Sequence, residues 1–157
     1  MCPNYKQEEE SIKHLMQACH TVCKLWEKVS FRCQKEDRVQ GDVIATAHNW
    51  NQTPYQSKLL NTLWKLIPGL LMWNIWKERN RWIFKDQSMP MENLWTIICQ
   101  NIKESLSIIS WSREDLPSLP QEQSIWANWN IQLNQELTSK GNPPSLGHLP
   151  TKWIPPQ

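Results

Sequence analysis

A mainly α fold is what this sequence predicts, a small helical domain of three to four helices, and three observations carry it. Apolar residues recur at three- and four-residue steps, eleven prolines against four glycines punctuate those stretches, and no alternating run is long enough for a strand. With 157 residues the chain suits one ordinary domain with one core. Eleven Trp and 39% hydrophobic residues supply apolar surface, while a mean hydropathy of -0.62 keeps the rest polar.

The first helix is read from Ile12, Leu15, Met16, Cys19, Val22, Cys23, Trp26 and Val29, one continuous amphipathic stripe. Ser11 is its expected N-cap, and the acidic run Glu8-Glu9-Glu10 suits the positive end of its dipole. Residues 1–33 form this segment. Residues 34–56 read as a loop, because the period dissolves into Gln34-Lys35-Glu36-Asp37-Arg38 and Asn49-Trp50-Asn51-Gln52, with Gly41 and Pro54 as breakers. Residues 57–111 are a Trp-rich helical region. Leu59, Leu60, Leu63, Trp64 and Ile67 restart the period, Pro68-Gly69 is expected to kink or divide the helix, and Leu70 carries it on to Phe84. Met91, Leu94, Ile98, Ile102, Leu106 and Ile109 make the clearest stripe, beginning after Pro90. Residues 112–157 read as a linker: a short helix marked by Ile125, Trp126, Trp129, Leu133 and Leu137, then a Pro-rich extended tail with Pro143, Pro144, Pro150, Pro155 and Pro156.

A net charge of +2 gives no global field that would draw the chain onto nucleic acid, so any such binding needs a local patch. The first residues lack the apolar run of a signal peptide, and the longest apolar stretch, Leu66 to Trp73, is broken by Pro68-Gly69. The expectation is an intracellular chain with no membrane span. Its five cysteines then read as thiols or metal ligands before disulfides.

The segment Trp73-Asn74-Ile75-Trp76-Lys77-Glu78-Arg79-Asn80-Arg81-Trp82-Ile83-Phe84 closely resembles the W-x2-W-K-E-R-N-x3-F signature of plant LINE-type (non-LTR) retrotransposon polyproteins. That signature marks the region called the reverse transcriptase zinc-binding domain. Cys2-Pro3, then Glu9-Glu10-Ser11-Ile12-Lys13-His14-Leu15 and Cys19, resembles the family's zinc knuckle, C-P-x-C…E-E-T-x-x-H-L-x4-C. Trp153-Ile154-Pro155-Pro156 is similar to the W-x-P-P that opens the RNase H-like domain following it. The resemblance covers nearly the whole chain and implies a fragment between two enzymatic modules.

It also implies a structural zinc site on Cys2, Tyr5, His14 and Cys19, of which the second is not a cysteine. Tyr5 is a poor ligand, since a phenol stays protonated at neutral pH and a ligand must be deprotonated. Cys2, His14 and Cys19 form an incomplete set, to which Cys23, His20 or Cys33 could be recruited. At about 100° per residue, His14 and Cys19 stand about 140° apart on an unbroken helix, so a shared metal requires a break between them. Otherwise both are small buried groups, Cys19 beside Cys23 and Trp26. Cys33 and Cys99 have no partner spacing.

Two readings compete for Trp73 to Phe84. In one, Lys77, Arg79 and Arg81 contact phosphates while Trp82 and neighbouring rings stack on unpaired bases of single-stranded nucleic acid. In the other, which the helical spacing favours, Trp73, Trp76, Ile83 and Phe84 are core, and Glu78 pairs with Arg81. Catalytic motifs are missing from the sequence: it has no Tyr-x-Asp-Asp turn, Gly-rich phosphate loop, G-x-S-x-G or H-E-x-x-H. His48 and His148 read as solvated loop residues. The expected function is that of a non-catalytic reverse transcriptase fragment with weak nucleic-acid binding and no small-molecule substrate. The alternative is a free-standing helical module whose Trp-rich faces are covered by a partner protein.

Overall fold

The computed structural model describes residues 11–35 and 43–133, and among these every regular element is helical. A π-helical turn (His14–Ala18) leads into α1 (His20–Cys33), followed by α2 (Val43–Trp50), α3 (Lys58–Lys85), α4 (Met91–Ser107), a 3-10 turn (Arg113–Asp115) and α5 (Pro120–Trp129). The mainly helical expectation holds, with five α-helices rather than three to four. Cys2, Tyr5 and the Pro-rich tail lie outside the described residues. No helix among the described residues is long and apolar enough to cross a membrane.

Ser11 opens the first element as expected, accepting the His14 N–H on its hydroxyl at 3.0 Å. The helix it starts is not continuous, which corrects the single-stripe reading. After the π turn the backbone becomes extended at Cys19 (φ -62, ψ 133) before α1 begins. A break of this kind strands carbonyls that an intact helix would use. Here the Trp26 Nε1–H donates to the Met16 carbonyl at 3.0 Å and the Cys23 thiol to that of Gln17 at 3.2 Å.

The expected loop 34–56 contains α2, a second correction. This helix earns its place through Thr46 and Trp50, buried one turn apart: Thr46 accepts from the Gln17 side chain, and the Trp50 ring stacks on Trp64 at 3.9 Å and 19°. Trp26 tilts against Trp50 at 5.5 Å and Tyr55 meets Trp64 edge-on at 5.9 Å, so four rings from four parts of the chain form the centre of the core.

α3 runs through Pro68 without division, although proline leaves the Trp64 carbonyl without its helical donor. Leu63, Trp64, Ile67 and Leu71 are buried on either side, so packing holds the helix across the lost bond. α4 folds back antiparallel on α3, burying Leu94, Ile98, Ile102 and Leu106 as the sequence stripe indicates. Asn74 lies in this interface, giving a hydrogen bond to the Leu70 carbonyl (2.7 Å) and accepting one from Asn101 (3.1 Å). Helix ends use left-handed Gln34, Asp86 and Asn130 in a chain with only four glycines.

α5 locks the other side. Its Glu122, 6% exposed, accepts the backbone N–H groups of Gln56 (2.7 Å) and Ser57 (3.1 Å) at the start of α3. Ser57 caps the same helix end through Leu60 N–H at 3.2 Å. The Arg32 guanidinium on α1 lies over Trp95 of α4 and Trp129 of α5, 5.1 and 5.3 Å from the ring centres.

Candidate nucleic-acid interface

The phase of α3 decides which of its side chains meet solvent. Leu60, Trp64, Ile67, Leu71 and Ile75 define its buried line, which continues through Glu78 to Trp82. Trp73 and Trp76 fall off that line. They are 52% and 43% exposed, Ile83 is 40% and Phe84 78% exposed, so the expectation that these four are core residues is overturned. The Trp73 and Trp76 rings instead stack on each other at 5.1 Å and 19°, and the Lys77 ammonium lies 5.7 Å from the Trp73 ring centre.

The four residues expected to bind nucleic acid do not share one surface. Lys77 stands about 40° round the helix from Trp73 and Arg79 about 60° from Trp76, with which it lines a hollow, while Arg81 is about 140° from Trp76 and Trp82 about 180° from Trp73. Trp82 and Arg79 are half-buried and line a small crevice with Leu25, Glu78 and Leu94. Arg79 also donates to the Asn80 side chain at 3.4 Å. Glu78 pairs with Arg81 at 3.7 Å, as the sequence suggests, and accepts the Met89 N–H at 2.6 Å. Glu78 therefore ties the end of α3 to the turn before α4 and offsets part of the positive charge of Arg81. The residues missed as solvent-facing are Trp73 and Trp76, and their phase relative to Leu71 and Ile75 was the available signal.

Of the expected zinc ligands, His14 and Cys19 are 8% and 1% exposed. The extended Cys19 backbone supplies the break that a shared metal would require. Cys23, the candidate substitute, uses its thiol on the Gln17 carbonyl. Among the described residues no group of three or more His, Cys, Asp or Glu is placed to hold a metal ion. Cys33 is buried, and desolvation pushes its thiol up to about 12 against the opposing hydrogen bonds of Trp129 and Tyr55. Burial also raises the Cys99 thiol, which accepts from Arg32 at 3.6 Å. Such thiols are poor nucleophiles. His48 lies on α2, not in a loop, and is exposed as expected; His148 is outside the described residues.

No protein-family model, curated protein or solved structure matches the chain. The functional argument therefore rests on the residues and their arrangement.

Proposed function

We propose that this chain is a non-catalytic piece of a LINE-type reverse transcriptase polyprotein, from its zinc-binding-domain region, and that it holds single-stranded nucleic acid weakly through α3. The signature at Trp73–Phe84 supports the origin, and the exposed Trp73–Trp76 stack supports the binding. Two near-parallel indoles with open edges and an adjoining ammonium suit unpaired bases and a phosphate, with little preference for sequence. In an intact polyprotein this region would help the polymerase hold its template or position its neighbours. With neither a Tyr-x-Asp-Asp turn nor the carboxylates of an RNase H, the sequence offers no recognised set of ligands for the metal ions of phosphoryl transfer.

The test is fluorescence anisotropy of a labelled single-stranded oligonucleotide against the full chain across a salt series. Lys77, Arg79 and Arg81, spread round the end of α3, would together neutralise about three phosphates of a strand that wraps it, giving a log–log salt slope near -2 at roughly 0.7 per contact. Trp73→Ala with Trp76→Ala is expected to weaken binding by about 1–3 kcal/mol per stacked base lost. Unchanged affinity in that double variant refutes the stacking face. Phe84, 78% exposed beside Ile83, favours a second reading, a partner protein covering the end of α3. Discrete, salt-insensitive complexes distinguish that reading.

A further inference from the structure

We infer that α1 carries a second contact surface for the same single strand, an inference that rests on the nucleic-acid reading above. Lys24, Lys28, Phe31 and Arg32 fall within about 100° of one another around the axis of α1. Phe31 is 81% exposed, the opposite of what its apolar ring would choose inside a self-sufficient fold. Between α1 and α4 this face opens into a groove of about 540 Å³ lined by Lys24, Lys28, Phe31, Arg32, Met91 and Trp95.

Two of these cations are laid on aromatic rings, which fixes where their charge is presented. Lys28 lies 5.9 Å from the Trp95 centre, and Arg32 lies 5.1 Å from the Trp95 centre and 5.3 Å from that of Trp129. Such pre-placed side chains lose less freedom when a ligand arrives. Glu27 and Glu92 share the groove. Glu92 pairs with Lys28 at 3.2 Å, an exposed bridge that holds neither side chain strongly. The groove's three cations, Lys24, Lys28 and Arg32, outnumber its two carboxylates, so the face favours an anionic partner.

The exposed ring decides the class of that partner. Cations one helical turn apart, about 6 Å along the axis, alternate with a free phenyl face, and a polynucleotide offers an anion and a flat ring in every unit. An acidic peptide brings the anions without the rings. α1 and α3 meet along the crevice where Thr21 and Leu25 face Arg79 and Trp82, and Arg79 also lines a hollow with Trp76, so one strand can pass over Arg79 from one surface to the other.

The experiment uses the full chain, a labelled oligothymidylate and the variants Lys24→Gln/Lys28→Gln, Phe31→Ala and Trp73→Ala/Trp76→Ala, each checked for unchanged circular dichroism. If both surfaces bind, the native slope is near -4, and the double Lys variant makes it shallower by about 1.4. Phe31→Ala, on an exposed side chain, weakens binding about fivefold or more with little change in slope. A native slope near -2 that neither α1 variant alters overturns this inference and leaves the α3 reading standing. Losses confined to the α1 variants, with Trp73→Ala/Trp76→Ala silent, support the α1 surface and refute the α3 one. Displacement of the oligonucleotide by polyglutamate at equal charge would show that anions alone suffice, and overturns the assignment to a polynucleotide.

Discussion

Glu122 is a carboxylate with a structural task that can be measured. Replacing it with Ala leaves the Ser57 N–H, in a residue 4% exposed, without its acceptor, at a cost of about 1–3 kcal/mol. The Gln56 N–H is only part-buried and can turn to water, so its lost bond adds about 1 kcal/mol. Removing a negative charge from the positive end of a 28-residue helix adds about 0.3–1 kcal/mol. The expected total is about 3–4 kcal/mol, a large part of the stability of a domain this size. Glu122→Gln keeps one acceptor oxygen and is expected to cost about 1–2 kcal/mol. Urea denaturation followed by circular dichroism gives both values. Because Ser57 caps the same turn, Ser57→Ala and Glu122→Ala should be non-additive. A loss below about 1 kcal/mol for Glu122→Ala would refute the argument that α5 caps α3.

Trp64→Ala, at a position 1% exposed, should cost about 3–5 kcal/mol in the same assay, and Trp76→Ala much less; the reverse order would return Trp76 to the core. The Asp115 carboxyl is held below its ordinary value of 3.8 chiefly by the Ser112 N–H, with help from the Ser112 hydroxyl and Lys58. Its contribution is therefore complete above pH 3.8 and lost as pH falls through the depressed value, so the melting-temperature gap to Asp115→Asn should close in acid. A gap independent of pH counts against this. With Tyr5 at a ligand position, the purified chain should hold substoichiometric zinc, and Tyr5→Cys should raise it. One zinc per chain, lost on Cys2→Ser, would contradict that expectation.

The sequence was most legible where one physical signal acted alone. The α4 stripe from Leu94 to Leu106 and the Ser11 cap needed only periodicity and a hydroxyl at the right place. α2 was hidden because Val43, Ile44, Thr46 and Asn49 are weak helix formers and only Thr46 and Trp50 are buried, too short a pattern to detect. The break at Cys19 is accompanied by Trp26 and Cys23 reaching back to the Met16 and Gln17 carbonyls, contacts that periodicity cannot encode. In the Trp73–Phe84 segment, hydrophobic identity and helical phase disagreed, and phase determined exposure. Arg32 and Glu122 gave no signal at all, since their partners lie far away in the sequence.

At about 1.5 Å per residue, the 28 residues of α3 make a rod of about 42 Å, but its buried positions end at Ile75. Its last ten residues form an overhang packed on one side only, where Glu78 reaches Met89 and Trp82 meets Leu25 and Leu94. Substitutions on the solvent side of that overhang alter what the chain touches while leaving the four-ring centre intact. Selection can thus rewrite this exposed side in small steps without testing, at each step, whether the domain still folds.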